Sequence, residues 1–134
     1  MDKGGGAMEK ELKALTKRLQ QYNEQLLLIA RRARERNEEP DFFGDVKPMA
    51  EEVQAVAERW KDAASRWVRH ARPKYVHERQ IEAAADHMAK LCVEAFYPSV
   101  PERRIKQYSQ AVAYTLALVK ERLDDTSEAG KERL

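Results

Sequence analysis

Four stretches of this chain repeat apolar residues every three or four positions, and its prolines stand only at or between the ends of those stretches. The first reads Met8, Leu12, Leu15, Leu19, Tyr22, Leu26, Ile29, Ala33. The second reads Val46, Met49, Val53, Val56, Trp60, Ala63, Trp67. Ile81, Ala84/Ala85, Met88, Leu91/Cys92 and Ala95/Phe96 make the third, and Ile105, Ser109, Val112, Leu116, Val119 and Leu123 the fourth. Such spacing puts each set on one face of an α-helix, and no stretch shows the period of two that a strand needs. Pro40, Pro48, Pro73, Pro98, Pro101 and Gly44 mark the junctions, leaving helices over roughly 8–37, 46–71, 78–97 and 101–124. Spacing near 3.5 with short connections predicts an all-α fold, an antiparallel up-and-down four-helix bundle.

The 134 residues suit one domain. The bundle is expected over 8–124, after a flexible glycine-rich leader at 1–7 and before a frayed polar tail at 125–134. Nineteen alanines favour helix, and 43% hydrophobic residues can fill a core while 36% charged residues keep the chain in water. Lys+Arg 25 against Asp+Glu 23 leaves +2, which argues against a dedicated nucleic-acid binder. The single cysteine, Cys92, rules out an internal disulfide and suits a reducing compartment. No apolar run has the length of a membrane span. The start, Met1-Asp-Lys-Gly-Gly-Gly, lacks the apolar core of a signal peptide, and Asp2 excludes myristoylation. These features point to the cytoplasm and away from a membrane.

The junctions carry helix punctuation. Asp45 is placed to cap the second helix, with Pro48 in its first turn. Ser99-Val-Pro-Glu102 reads as a capping box for the fourth. In the densely functionalised stretch Ala71–Glu82, "ARPKYVHERQIE", Pro73 drives Arg72 out of helical geometry and stops the second helix. His77 then caps the third with Gln80 three residues on, and Val76 and Ile81 form a hydrophobic staple. Tyr75 is expected to fold over the bundle end. Arg69 and Arg72 sit where cations favour a helix C-terminus.

With the junctions in place, the chain resembles the YppE-like family of small bacterial proteins, a family of unknown function. The resemblance rests on Asp41-Phe42-Phe43, Lys47-Pro48, Arg59-Trp60, Arg72-Pro73-Lys74-Tyr75-Val76-His77, Gln80-Ile81-Glu82 and Tyr114-Thr115-Leu116, across about Leu15 to Leu123. It implies an up-and-down four-helix bundle and brings no catalytic residues.

No constellation for catalysis is visible. A di-iron bundle needs two Glu-x-x-His motifs, and none of His70, His77 and His87 has a glutamate three residues before it. His70 and His77 flank the Pro73 corner, whereas His87 lies about ten residues, or about 15 Å, up the third helix, which argues against a shared metal. Cys92 falls on the apolar stripe as a buried thiol. The expectation is a non-enzymatic protein without cofactor or metal.

Surfaces are the remaining source of function. Trp60 and Trp67 read as core anchors. Phe42 and Phe43 sit among Glu, Pro, Asp and Gly, either plugging the bundle end beside Phe96 and Tyr97 or standing out as a hook. Leu28, Tyr114 and Leu118 fall off the core stripes and could form one outer patch between the first and last helices. These residues, with Tyr75, are the candidates for an unidentified protein partner or a homodimer. The alternative is weak phosphate or nucleic-acid binding at the basic bundle ends, through Arg69, Arg72, Lys74 and Arg79. Arg66, Lys10, Lys13 and Lys17 lie at the same end, and Arg31, Arg32, Arg34, Arg36, Arg103, Arg104 and Lys106 at the other.

Overall fold

A computed structural model describes residues 3–132. Four helices account for its architecture: α1 (Lys3–Arg36), α2 (Lys47–Ala71), α3 (Glu78–Glu94) and α4 (Glu102–Glu132), with a π-turn at Phe42–Val46 leading into α2. Each helix packs on two neighbours, α1 on α2 and α4, α3 on α2 and α4, with little contact across the diagonal between α1 and α3. That closed ring is the up-and-down four-helix bundle that the periodicity predicts. α1 begins inside the glycine-rich segment, and α4 runs on through the polar stretch that follows Asp125. No proline interrupts either extension, and adding a residue to an existing helix needs no new nucleus. Met1, Asp2, Arg133 and Leu134 lie outside the described residues.

The predicted stripes form the core. Leu12, Leu19, Leu26, Val53, Trp60, Ile81, Met88, Leu91, Ile105, Leu116 and Leu123 are fully or almost fully buried. Two polar contacts inside this core join helices, while the buried Trp67 indole N–H has no hydrogen-bond partner among the described residues. The Trp60 indole N–H donates to Thr16 Oγ1 at 3.0 Å, and that hydroxyl donates to the Leu12 carbonyl at 2.7 Å. Asn23 and Ser109 join α1 to α4: Asn23 Nδ2 donates to the Ser109 carbonyl at 3.1 Å, and Ser109 Oγ donates to Asn23 Oδ1 at 2.8 Å. Both residues are buried, so a one-turn slip between α1 and α4 would leave buried donors and acceptors unmet. The pair therefore fixes the register of those helices.

Arg34, which the sequence offers as one cation of a basic end, has a structural task instead. Its Nε and Nη2 donate to the Val100 carbonyl at 3.0 and 2.7 Å, and Nη2 also reaches Tyr97 at 3.1 Å. Nη1 donates to the carbonyls of Ala95 at 3.1 Å and of Ala30, one turn back in its own helix, at 2.9 Å. The last carbonyls of a helix have no partner within it. A guanidinium is a rigid fork of donors and a cation, so it suits the C-terminal end of α3 in both respects. Burial pulls the Arg34 pKa below its ordinary value, with Glu102 opposing the shift.

Candidate functional site

Three surface regions hold the residues singled out above, and the structure keeps them apart. The first is the π-turn ahead of α2. Asp41 has extended backbone, and its carboxylate accepts from the Gly44 N–H at 3.1 Å. Asp45 Oδ2 accepts in return from the Asp41 N–H at 3.0 Å. Asp45 thus closes the π-turn and does not cap α2, whose N-cap is Val46 without a side-chain bond. The π-turn runs straight into α2, so the N-terminal donors of α2 are met by backbone carbonyls of the turn, as when the Lys47 N–H donates to the Phe42 carbonyl. A Cβ at Gly44 would lie 2.5 Å from Asp41 Oδ2, so the capped turn needs glycine there.

This turn buries Val46 completely and leaves Phe42 46% and Phe43 73% exposed. The plug beside Phe96 and Tyr97 is therefore not formed: Val46 fills the inward position, and both phenylalanines face outward. Their rings meet edge to face at 5.3 Å and 88°, and Lys47 Nζ lies 5.7 Å from the Phe43 ring centroid. The result is an aromatic pair held outside the core by a hydrogen-bonded turn.

The Pro73 corner is the second region. Arg72 ends α2 with left-handed backbone (φ 47°), and its N–H bonds the Val68 carbonyl. The His77 N–H donates to Gln80 Oε1 at 2.8 Å, and Val76 and Ile81 are buried, as the staple requires. Tyr75 also has positive φ, at 70°. It stays 67% exposed and does not fold over the bundle end; the Arg122 guanidinium carbon lies 5.6 Å from its ring centroid. Of the four cations named for anions, Arg69 pairs with Glu78 at 2.8 Å, whereas Arg72, Lys74 and Arg79 are exposed. Nearby Arg66 pairs with Asp62, and Lys13 with Asp124.

Leu28, Tyr114 and Leu118 make up the third group, and they do not share a patch. The Asn23–Ser109 contact places Leu28 opposite residue 104, ten residues from Tyr114 on α4 and about 15 Å along the axis. Leu28 is 53% exposed, Tyr114 is 67% exposed, and Leu118 leans half-buried on the core. Concavities of about 420 and 470 Å³ follow the α1–α4 seam, lined mainly by Lys, Gln and Glu with Leu27 and Ala113. Neither includes Leu28 or Tyr114.

At the fourth helix, Pro101 supplies the carbonyl for the first helical N–H groups, so Ser99 lies outside the first turn and does not cap it. Glu102 pairs with Lys106 at 3.5 Å. Cys92 is fully buried, donates to the Ala89 carbonyl at 3.1 Å, and has its pKa pushed up to about 11, chiefly by burial. His87 stacks on Tyr108, while His70 and His77 are exposed. Among the described residues no three His, Cys, Asp or Glu side chains come together as a metal site, and no helix is long and apolar enough to cross a membrane.

Residues 16–123 match the model of a bacterial domain of unknown function, DUF1798. The chain belongs to that family. Among its relatives is the uncharacterised protein YppE of Bacillus subtilis, 33% identical over 116 residues that make up 81% of this chain and 94% of that protein. A Listeria innocua crystal structure of unknown function has a TM-score of 0.85 at 29% identity, covering 90% of this chain and 97% of the other. The crystal structure of Bacillus subtilis YppE gives 0.84 at 29% identity, covering 89% and 97%. The resemblance read from the motifs is thereby confirmed. Arg34, Asn23 and Thr16 are the structural residues that motif reading passes over. The two polar ones lie at the edge of the first apolar stripe, which is the only sequence signal they give.

Proposed function

We propose that this DUF1798 domain is a non-enzymatic cytoplasmic protein that acts by protein–protein contact. The observation that carries the reading is the Phe42–Phe43 pair, 46% and 73% exposed on a turn that both Asp41 and Asp45 hold shut. Exposing two adjacent phenylalanines is unfavourable in water, and a preformed turn loses little conformational entropy on binding. Aromatic side chains on such a turn are the kind that anchor interfaces. Four carboxylates flank the pair in the sequence, on Glu38, Glu39, Asp41 and Asp45. A partner pocket that is apolar inside and basic at its rim fits that arrangement.

Capture of partners from lysate, with and without nuclease, tests the reading when the parent chain is run beside Phe43→Asp. A protein that is retained after nuclease and lost with Phe43→Asp supports it. Capture unchanged by Phe43→Asp counts against it. Loss on nuclease, together with loss in Arg72→Ala, moves the function to phosphate binding at Arg72, Lys74 and Arg79, whose affinity would fall steeply with salt.

A further inference from the structure

The longest stretch without a charged residue runs from Gln107 to Val119, in the middle of α4. The core explains one side of it: Val112, Leu116 and Val119 are buried there. It does not explain the opposite side. Gln107, Gln110, Ala113, Tyr114 and Ala117 are exposed, Ala111 is half-buried, and Leu118 lies at the edge of this side, half-buried against the core. An exposed helix face in a chain with 36% charged residues would ordinarily carry Lys and Glu. Here charge returns only at the two ends of the face, as Arg103 on one side and Glu121 and Asp125 on the other.

The outward residues form a stripe of their own: Arg103, Gln107, Gln110, Tyr114, Leu118, Glu121 and Asp125, spaced 4-3-4-4-3-4. That order is symmetric about Tyr114. If a second copy of α4 packs antiparallel with a two-fold axis at Tyr114, Arg103 faces Asp125 of the other copy. Gln107 then faces Glu121, Gln110 faces Leu118, Ala111 faces Ala117, and Tyr114 meets itself. Both ends thus become oppositely charged pairs, each occurring twice, as an isologous contact requires. A parallel arrangement would set Arg103 against Arg103 and Asp125 against Asp125. Arg103 has no ion pair among the described residues, and the exposed Asp125 carboxylate lies 3.2 Å from a half-buried Arg122 that also pairs with Glu121 at 3.2 Å.

From this we infer that α4 is a self-association surface, and that the protein forms an antiparallel homodimer centred on Tyr114. The small side chains Ala111, Ala113 and Ala117 let the helices approach, and the tyrosine supplies the central anchor. The face runs over 23 residues from Arg103 to Asp125, about 33 Å along the helix. One helix pair of that length lies at the low end of specific interfaces, roughly 1,200 Å² or less. The dimer is therefore expected in the micromolar range. The inference does not depend on the Phe42–Phe43 reading, and a Phe43→Asp chain should self-associate like the parent.

Sedimentation equilibrium across the micromolar range, with cysteine cross-linking, tests it. Cys92 is buried with its pKa near 11, so it does not compete with an introduced thiol. Helix axes about 8–10 Å apart, with Cα atoms about 2.3 Å off each axis, leave two facing Cα atoms about 3.4–5.4 Å apart, a span that overlaps the disulfide range. Tyr114→Cys should cross-link to itself much faster than Leu28→Cys. Gln110→Cys should cross-link efficiently only when mixed with Leu118→Cys. Tyr114→Asp should weaken dimerisation at least about 100-fold, since the side chain is lost from both copies. Arg103→Glu and Asp125→Arg should each weaken it, and the double variant should recover it. A monomer throughout the micromolar range overturns the proposal, as does a dimer indifferent to Tyr114→Asp. Equal cross-linking of Tyr114→Cys and Leu28→Cys overturns it too, and self-linking of Gln110→Cys as fast as the mixture overturns the antiparallel register.

Discussion

Replacing Arg34 should loosen the end of the bundle where α1, α3 and the α3–α4 connection meet. Its guanidinium donates to the carbonyls of Ala95, Tyr97 and Val100, all outside its own helix, and the Ala95 residue is fully buried. Arg34→Met keeps much of the aliphatic stem and removes the donors. Allowing about 1 kcal/mol for each of the three stranded carbonyls, the loss is about 3 kcal/mol. That is a large share of the 5–15 kcal/mol that typically holds a domain together. The melting temperature of a chain this size should fall by roughly 10 °C. Arg34→Lys is the sharper test. It keeps the charge near the α3 terminus but offers one nitrogen where the site uses three, so it should recover at most about 1 kcal/mol, the dipole contribution. Urea unfolding followed by circular dichroism measures both variants, and amide exchange over 96–100 should quicken in each. If Arg34→Lys matches the parent, the fork geometry contributes nothing and a point charge suffices.

Other outcomes follow from the same contacts. Trp60→Ala should cost about 3–5 kcal/mol, and Trp60→Phe about 1 kcal/mol, by removing the donor to Thr16; urea midpoints read both. Gly44→Ala and Asp41→Ala should each destabilise by about 1 kcal/mol. Combined they should cost little more than either alone, because the added methyl group displaces the same carboxylate that the second change removes. Cys92 should resist alkylation at pH 8 until the chain unfolds. Its folded pKa of about 11 lies above the ordinary 9.0, so its neutral form is favoured by folding. The resulting stabilisation, at most about 3 kcal/mol, should be complete below pH 9 and lost as the pH rises to about 11, relative to Cys92→Ala.

The bundle is legible because its signal repeats: every buried position of the four stripes is one of a series, so the pattern survives single exceptions such as Ser109. The Pro73 corner is legible because proline geometry and capping are local. What is hidden depends on partners distant in sequence. Arg34 looks like any of its neighbouring arginines until carbonyls more than sixty residues later arrive beside it. Asn23 looks like a surface residue until Ser109 meets it. The direction of Phe42 and Phe43 turns on whether Val46 or a phenylalanine fills the inward position, a contest of packing that spacing alone does not decide. The outward stripe of α4 is written plainly in the sequence, but it shares its helix with a stronger inward one that accounts for the same residue types.

The Asn23–Ser109 pair bears on how the chain is made. Its partners stand 86 residues apart, so during synthesis α1 leaves the ribosome long before α4 exists to cover it. Until then Asn23 has no buried partner, and Leu12, Leu19 and Leu26 have only part of their cover. A product truncated before α4 would expose that apolar face rather than settle as a smaller folded protein. Such fragments should be recognised as unfolded and cleared by proteases, which makes the last helix a checkpoint for completeness of the chain.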